Sequence, residues 1–405
     1  MPKTAKYSYV AKTDKGETRV GSLMADSETA AARRLSLLGV TPITINLTET
    51  GAKRSIGPKK RVKTRNLADY TRQLATMIAA GLPLVRALEA LADQTSHPVI
   101  KDTTRLLRAD VENGVSLSRA FSNHPKVFPR LVVTMTAAGE ASGALADSLS
   151  RVADTFEKQA ALQSKVLSAL MYPAVVLGLA GVMLIAMLLF IVPVFVGIFE
   201  TLGGGLPLPT QILVTLSGIL RFGAPAFIVA AILGVIAWRK YKDKDEVRAI
   251  IDPQKLRLPI FGPFTKKIIL ARWSRVFSSL LDSGVPLIQA VEISANASGN
   301  IRYREALFRC RDGIRAGQSL SAVISREELF PPVVQQMVAT GEDTGALPEL
   351  LEKIATYYDT EVSRTAESLT SILEPLLLLF LGVVIGGLVI SLYLPMFSVY
   401  DYVNA

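Results

Sequence analysis

The sequence predicts a mainly α-helical membrane protein: a small N-terminal α/β module, two tandem cytoplasmic helical-bundle repeats and three transmembrane helices. Three observations carry that class: three long apolar segments, an internal repeat, and a lopsided placement of basic residues. The 405 residues are 50% hydrophobic, and the mean hydropathy is +0.35. That balance suits large water-exposed domains joined to a few spans, rather than a chain lying mostly in lipid.

A helix needs roughly 20 apolar residues to cross a bilayer. Residues 170–192, 218–238 and 373–394 meet that length. No charged residue interrupts the first; Arg221 lies early in the second, and Glu374 stands at the very start of the third. Of 45 Lys and Arg, 25 fall in residues 1–165 and 19 in 239–368, with Arg221 the one left over. Loop 193–217 and tail 395–405 carry neither Lys nor Arg. Basic residues stay on the cytoplasmic side, so the N-terminal part and the 239–372 region are expected inside, and the loop and tail outside. Met1–Val10 is polar and has no apolar core of a secretory signal.

Residues 66–195 align with 269–397 at an offset of 203, which falls to 202 near residue 124. AGLPLVRALE (80–89) matches SGVPLIQAVE (283–292), and FPRLVVTMTAAGEASGAL (128–145) matches FPPVVQQMVATGEDTGAL (330–347). Leu67, Tyr70, Leu74, Met77 and Ile78 follow helical spacing, as do Leu270, Trp273, Phe277, Leu280 and Leu281. Gly81 and Pro83, repeated as Gly284 and Pro286, close one helix and open the next. Ser116 and Ser319 are the expected N-caps after a second such turn. The last helix of each copy leads towards a span, with Pro173 and Pro375 as the expected bends. The repeats therefore occupy 66–169 and 268–372, separated by span 170–192, loop 193–217, span 218–238 and a cytoplasmic linker at 239–267.

Ahead of them, residues 1–50 read as the α/β module. Two strands flank a turn at Asp14, Lys15 and Gly16, a helix starts after Ser27, and ITINL adds a further strand. The linker 51–65 holds Lys53, Arg54, Lys59, Lys60, Arg61, Lys63 and Arg65 without an acid. Its composition fits membrane lipids with anionic headgroups, an acidic protein partner, or a solvated tether that fixes topology.

Catalytic signatures are missing. There is no GxxxxGK[ST] loop, and the two histidines, His97 and His124, are too far apart for HExxH. Neither a metal nor a cofactor is expected, and no nucleic acid partner. The lone Cys310 reads as an ordinary helical side chain. The most distinctive local signal is GE-x-x-G-x-L, with Gly139, Glu140 and Gly143 in one copy and Gly341, Glu342 and Gly345 in the other. Its carboxylates are expected to accept free N–H groups at a helix start, and its first glycines to serve the turn by their backbone freedom. Glu374 is either a functional intramembrane carboxylate or a snorkelling one. Gly382 and Gly386 have the spacing of close helix packing, as have Ala174 and Gly178 in the first span.

The doubled GE-x-x-G-x-L turn, each copy leading through a proline into a span, resembles the PilC/GspF family over essentially the whole chain. That family comprises the inner-membrane platform proteins of type IV pilus and type II secretion systems. The resemblance implies an oligomeric, non-enzymatic platform, placed among other inner-membrane machine components. It would couple a hexameric cytoplasmic assembly or retraction ATPase to insertion or extraction of pilin or pseudopilin. The look of the C-terminal end, LPMFSVYDYV, favours a pilus member over a secretion member. A small transporter or channel is the rival of another class; it would need polar groups along a midplane path, and the spans are nearly uncharged there.

Overall fold

The computed structural model describes residues 5–13, 18–25, 28–37, 40–48, 62–201, 208–241, 244–259 and 261–403. The chain divides into two compact units, residues 1–61 and 62–405.

In the first unit, β1 (Ala5–Thr13) pairs antiparallel with β2 (Thr18–Ala25) and with β3 (Val40–Thr48), giving the order β2-β1-β3. Helix α1 (Glu28–Leu37) connects β2 to β3. The register along β3 shifts between Val10 and Ala11, which face Thr44 and Pro42. The extra residue sits beside a proline that could not have donated to the ladder. The expected turn at residues 14–16 and the cap at Ser27 lie outside the described residues, as does most of the basic linker.

The second unit is helical throughout its described residues. Its first repeat runs through α2 (Thr64–Ala79), α3 (Leu84–Gln94), α4 (Pro98–Glu112), α5 (Leu117–Ser122), α6 (Arg130–Ser142) and α7 (Leu145–Ala186). A π-helical turn, Met187–Ile191, carries α7 into α8 (Val192–Thr201); α9 (Leu208–Tyr241) and α10 (Asp245–Arg257) follow. The second repeat is α11 (Phe261–Asp282), α12 (Leu287–Ala297), α13 (Ile301–Arg315), α14 (Leu320–Ile324), α15 (Pro332–Thr344) and α16 (Leu347–Val403).

The apolar stripe of α2 turns Leu67, Tyr70 and Leu74 inward, with Met77 and Ile78 half-buried beside them. The stripe of α11 does the same with Leu270, Trp273, Phe277 and Leu280. Each lies along the long helix that closes its own repeat, α7 or α16. At Gly81 and Gly284, φ is +82° and +77°, a left-handed conformation open to glycine at little cost. It lets Leu82 and Val285 donate back to the Met77 and Leu280 carbonyls at 3.0 Å. Proline then starts the next helix without wasting an N–H.

The aromatic centres of the two bundles correspond but are not identical. Tyr70 packs on Phe128 at 5.5 Å and Trp273 on Phe330 at 4.9 Å between ring centroids. A third ring comes from α5 in the first copy, where Phe121 lies 4.5 Å from Phe128. In the second copy it comes from α13, where Tyr303 lies 5.8 Å from Phe330. The aliphatic counterparts, Ile100 and Ile324, are fully buried at the exchanged positions. Total volume is kept while the bulky side chain changes helices, the kind of swap a packed core tolerates best.

Among the described residues, two helical runs are long and apolar enough to cross a bilayer, Leu145–Gly197 and Leu347–Leu394. Both stay helical through Pro173 and Pro375, where the sequence predicts bends. Helix α9 contains a shorter apolar stretch, Val229–Trp238.

Three connecting segments differ from expectation. Residues 193–217, expected as a loop, are helical up to Thr201 and again from Leu208. Five of the Pro and Gly residues that suggest a loop cluster at 203–209, while Pro193 and Gly197 lie within α8 and QILVTLSG extends α9. The tail after residue 394 continues α16 as far as Val403. The linker 239–267 holds α10, which has Asp245 and Glu246 in its first turn and Lys255 and Arg257 in its last, complementing the helix dipole.

Candidate functional site: duplicated caps and the seam between repeats

Helix α5 is only six residues long and α14 only five, so unsatisfied N–H groups are a large share of each. Side chains supply the acceptors. Ser116 Oγ accepts from Arg119 N–H, and Ser319 Oγ from Ala322 N–H at 3.2 Å. The earlier N–H groups go to the GE-x-x-G carboxylates. Glu140 accepts from Leu117 N–H at 2.6 Å and from the Ser118 hydroxyl at 2.5 Å. Glu342 accepts from the N–H groups of Leu320 and Ser321, both at 2.8 Å. Burial pushes the Glu342 carboxyl up, but the Ser321 hydroxyl and the N–H groups of Ser321 and Leu320 outweigh it and hold its pKa below the ordinary value. The helix that each carboxylate caps lies about twenty residues upstream, so each cap ties α5 to α6, or α14 to α15.

The glycines of this motif divide the work. Gly143 and Gly345 carry the turn, with φ of +75° and +72°. Gly139 and Gly341 lie inside α6 and α15 without a positive φ, so the turn does not depend on their backbone freedom. Their role is close approach. A Cβ on Gly139 would lie 2.7 Å from Ser148 Cβ, and one on Gly341 would lie 3.0 Å from Leu347 Cα. The next helix doubles back against this bare backbone.

Each repeat also holds an ion pair between its first and last helix. In the first, Arg72 binds Glu157 at 2.8 Å and also Asp154. At the matching place in the second, Arg275 binds Asp359. The Arg72 side chain is 35% exposed and that of Arg275 only 3%. Burial pushes the Asp359 carboxyl up, with the Arg275 guanidinium pulling against it.

Arg275 is covered because the first repeat packs over the second repeat's α11 and α16. A polar cavity of about 150 Å³ remains in that seam, lined in part by Arg151, Lys158, Arg275, Asp282 and Glu352. Arg151 pairs with Asp282, Lys158 with Glu352 at 2.5 Å, and Arg130 with Glu292 at 3.3 Å. The Thr155 and Ser279 hydroxyls share a hydrogen bond of 2.8 Å. In all three ion pairs the cation belongs to the first repeat and the carboxylate to the second. These charges are satisfied by one another, an arrangement suited to joining two bodies.

Pro83 and Pro286 stand as N-caps of α3 and α12. Gly382 and Gly386 meet no neighbour that a Cβ would touch, so within this chain they mediate no close helix approach. Glu374 is exposed on α16, Lys63 precedes α2 and Arg65 lies in its first turn. Lys53, Arg54, Lys59, Lys60 and Arg61 lie outside the described residues. His97 precedes α4 and His124 follows α5, and no cluster of potential metal ligands occurs among the described residues. Cys310 is buried on α13, and burial pushes its thiol pKa up to about 12. Sequence reasoning missed the Arg72 and Arg275 pairs. The signal was present: Arg72 and Arg275 coincide at an offset of 203, and Glu157 and Asp359 at 202.

Two capped helical bundles, each feeding a long apolar helix and joined by a polar seam, define a duplicated membrane-anchored scaffold. The profile of type II secretion system (T2SS) protein F matches residues 70–193 and 273–395, and that family's N-terminal domain matches residues 1–46. The chain belongs to this family. It is 37% identical over 399 residues to a type IV pilus assembly protein PilC of Myxococcus xanthus, covering 98% of this chain and 95% of that one. A protein of the same name from Thermus thermophilus is 36% identical, with 97% and 98% covered. A type II secretion system protein F of Xanthomonas campestris is 33% identical, with 98% and 99% covered.

Proposed function

We propose that this chain is the inner-membrane platform of a type IV pilus machine. It couples a hexameric cytoplasmic assembly or retraction ATPase to insertion or extraction of pilin, working as a homo-oligomer beside other membrane components. The observation that carries this reading is near-full-length identity of 37% to a pilus assembly protein, against 33% to a secretion protein. The second relative supports a platform in a type II secretion system as the other reading.

In this proposal α9 is the middle of three spans, both bundles lie in the cytoplasm and the C-terminus faces outward, a reading supported by the placement of basic residues. Residues 51–65 are a basic tether at the inner surface. The seam makes the two bundles a single body that can receive a push and pass it to both membrane helices.

Deleting the gene in its host and scoring surface pili and exoprotein secretion side by side tests the assignment. Loss of pili with intact secretion is expected; lost secretion with normal piliation selects the second reading. Reporter fusions near residues 120, 204, 310 and 403 test topology, and opposite sides for 120 and 310 would overturn it.

A further inference from the structure

Residues 193 and 395 are prolines at matching positions of the two repeats. Proline has no N–H, so a carbonyl on the preceding turn loses its donor. In α16 the carbonyl four residues before Pro395 is that of Ser391. In the first repeat the π-helical turn moves the vacancy by one residue. Val192 N–H donates to the Met187 carbonyl, a five-residue step, and the carbonyl five residues before Pro193 is that of Leu188.

Both carbonyls receive a hydroxyl from α9. The Thr210 hydroxyl donates to Ser391 O and the Ser217 hydroxyl to Leu188 O, each at 2.5 Å. Thr210 and Ser217 are buried and seven residues apart, two turns along one face of the helix. Thr215, exposed between them, makes the ordinary local bond to the Gln211 carbonyl instead. Around the two bonds Leu188, Val192, Leu388 and Leu392 form a small buried apolar cluster.

The geometry points to α9 as a clasp: its two hydroxyls replace the two backbone donors removed by the duplicated prolines, and so hold both repeat spans together. A freed carbonyl in hydrocarbon finds no water, so the spans cannot part at this depth without leaving both carbonyls bare. The inference rests on these helices crossing a bilayer, and not on which machine they serve.

The test uses full-length protein in lipid nanodiscs. Thr210→Val and Ser217→Ala each lower the denaturation midpoint, whereas Thr210→Ser does not. Pro395→Ala returns an N–H to α16, so Thr210→Val has no further effect in that background; Pro193→Ala does the same for Ser217→Ala. Equal losses with and without the proline, or no loss in the native background, overturn the clasp. Release of the wild-type protein from membranes by alkaline carbonate overturns the bilayer reading, and the clasp with it.

Discussion

Arg72 and Arg275 occupy the same place in the two repeats, and the seam buries only Arg275. A two-fold arrangement would treat both alike. This joint is asymmetric instead: the first repeat contributes its closing helix α7 and the start of α6, whereas the second contributes its opening helix α11, its closing helix α16 and Glu292 of α12. Equivalent ion pairs thereby acquire different energetic weight.

Removing one partner of a buried pair leaves a charge without compensation, at a cost of about 3 kcal/mol or more. Asp359→Ala should therefore destabilise the protein by that order, while Arg72→Ala should cost about 1 kcal/mol or less, as for a surface pair. Chemical denaturation of the two variants in parallel checks the ranking.

Glu342→Gln keeps the shape of its cap and removes the charge, a loss of about 2 kcal/mol for charged hydrogen bonds. The folded-state pKa of Glu342 lies below its unfolded value of about 4.5. Its contribution is therefore full above that value and disappears as pH falls through the lower, folded one. Melting curves of wild type and variant should converge in that acid range and separate by neutral pH.

Gly139→Ala should cost about 1–3 kcal/mol through overpacking against Ser148. Adding Ser148→Gly should recover much of it, because crowding and not turn geometry is the fault. The same second change should do nothing for Gly143→Ala, whose strain lies in its own positive φ. A denaturation cycle over the four variants separates the two causes.

Cys310, buried and with its thiol pKa raised to about 12, should resist maleimide at neutral pH in the folded protein. It should react promptly after denaturation. Mass spectrometry of labelled protein reads both states, and rapid native labelling would contradict the buried placement.

The helical stripes of α2 and α11 and the duplicated order of elements were legible in the sequence, because burial imposes a period and duplication shows it twice. What the carboxylates of Glu140 and Glu342 cap was not, since each partner helix start lies more than twenty residues upstream in the chain and no local spacing rule reaches it. Residues 193–217 misled for a different reason. Thr210, Gln211, Thr215 and Ser217 depress local hydropathy and look like loop, yet two of their hydroxyls are used inside the helix cluster. The role of Gly139 and Gly341 needed the third dimension as well, because a glycine bare for its neighbour and a glycine bent for a turn look the same in one.

The exchange of Phe121 and Ile100 for Ile324 and Tyr303 bears on how the chain matures. Twin bundles in one polypeptide invite cross-assembly, with a helix from one half docking into the other as it emerges. Were α5 to settle in the second bundle it would crowd three rings beside Trp273, and α14 in the first would leave a hole next to Phe128. Bulk alone therefore penalises mismatched partners, a bias that favours correct sorting of two nearly equal halves made in succession.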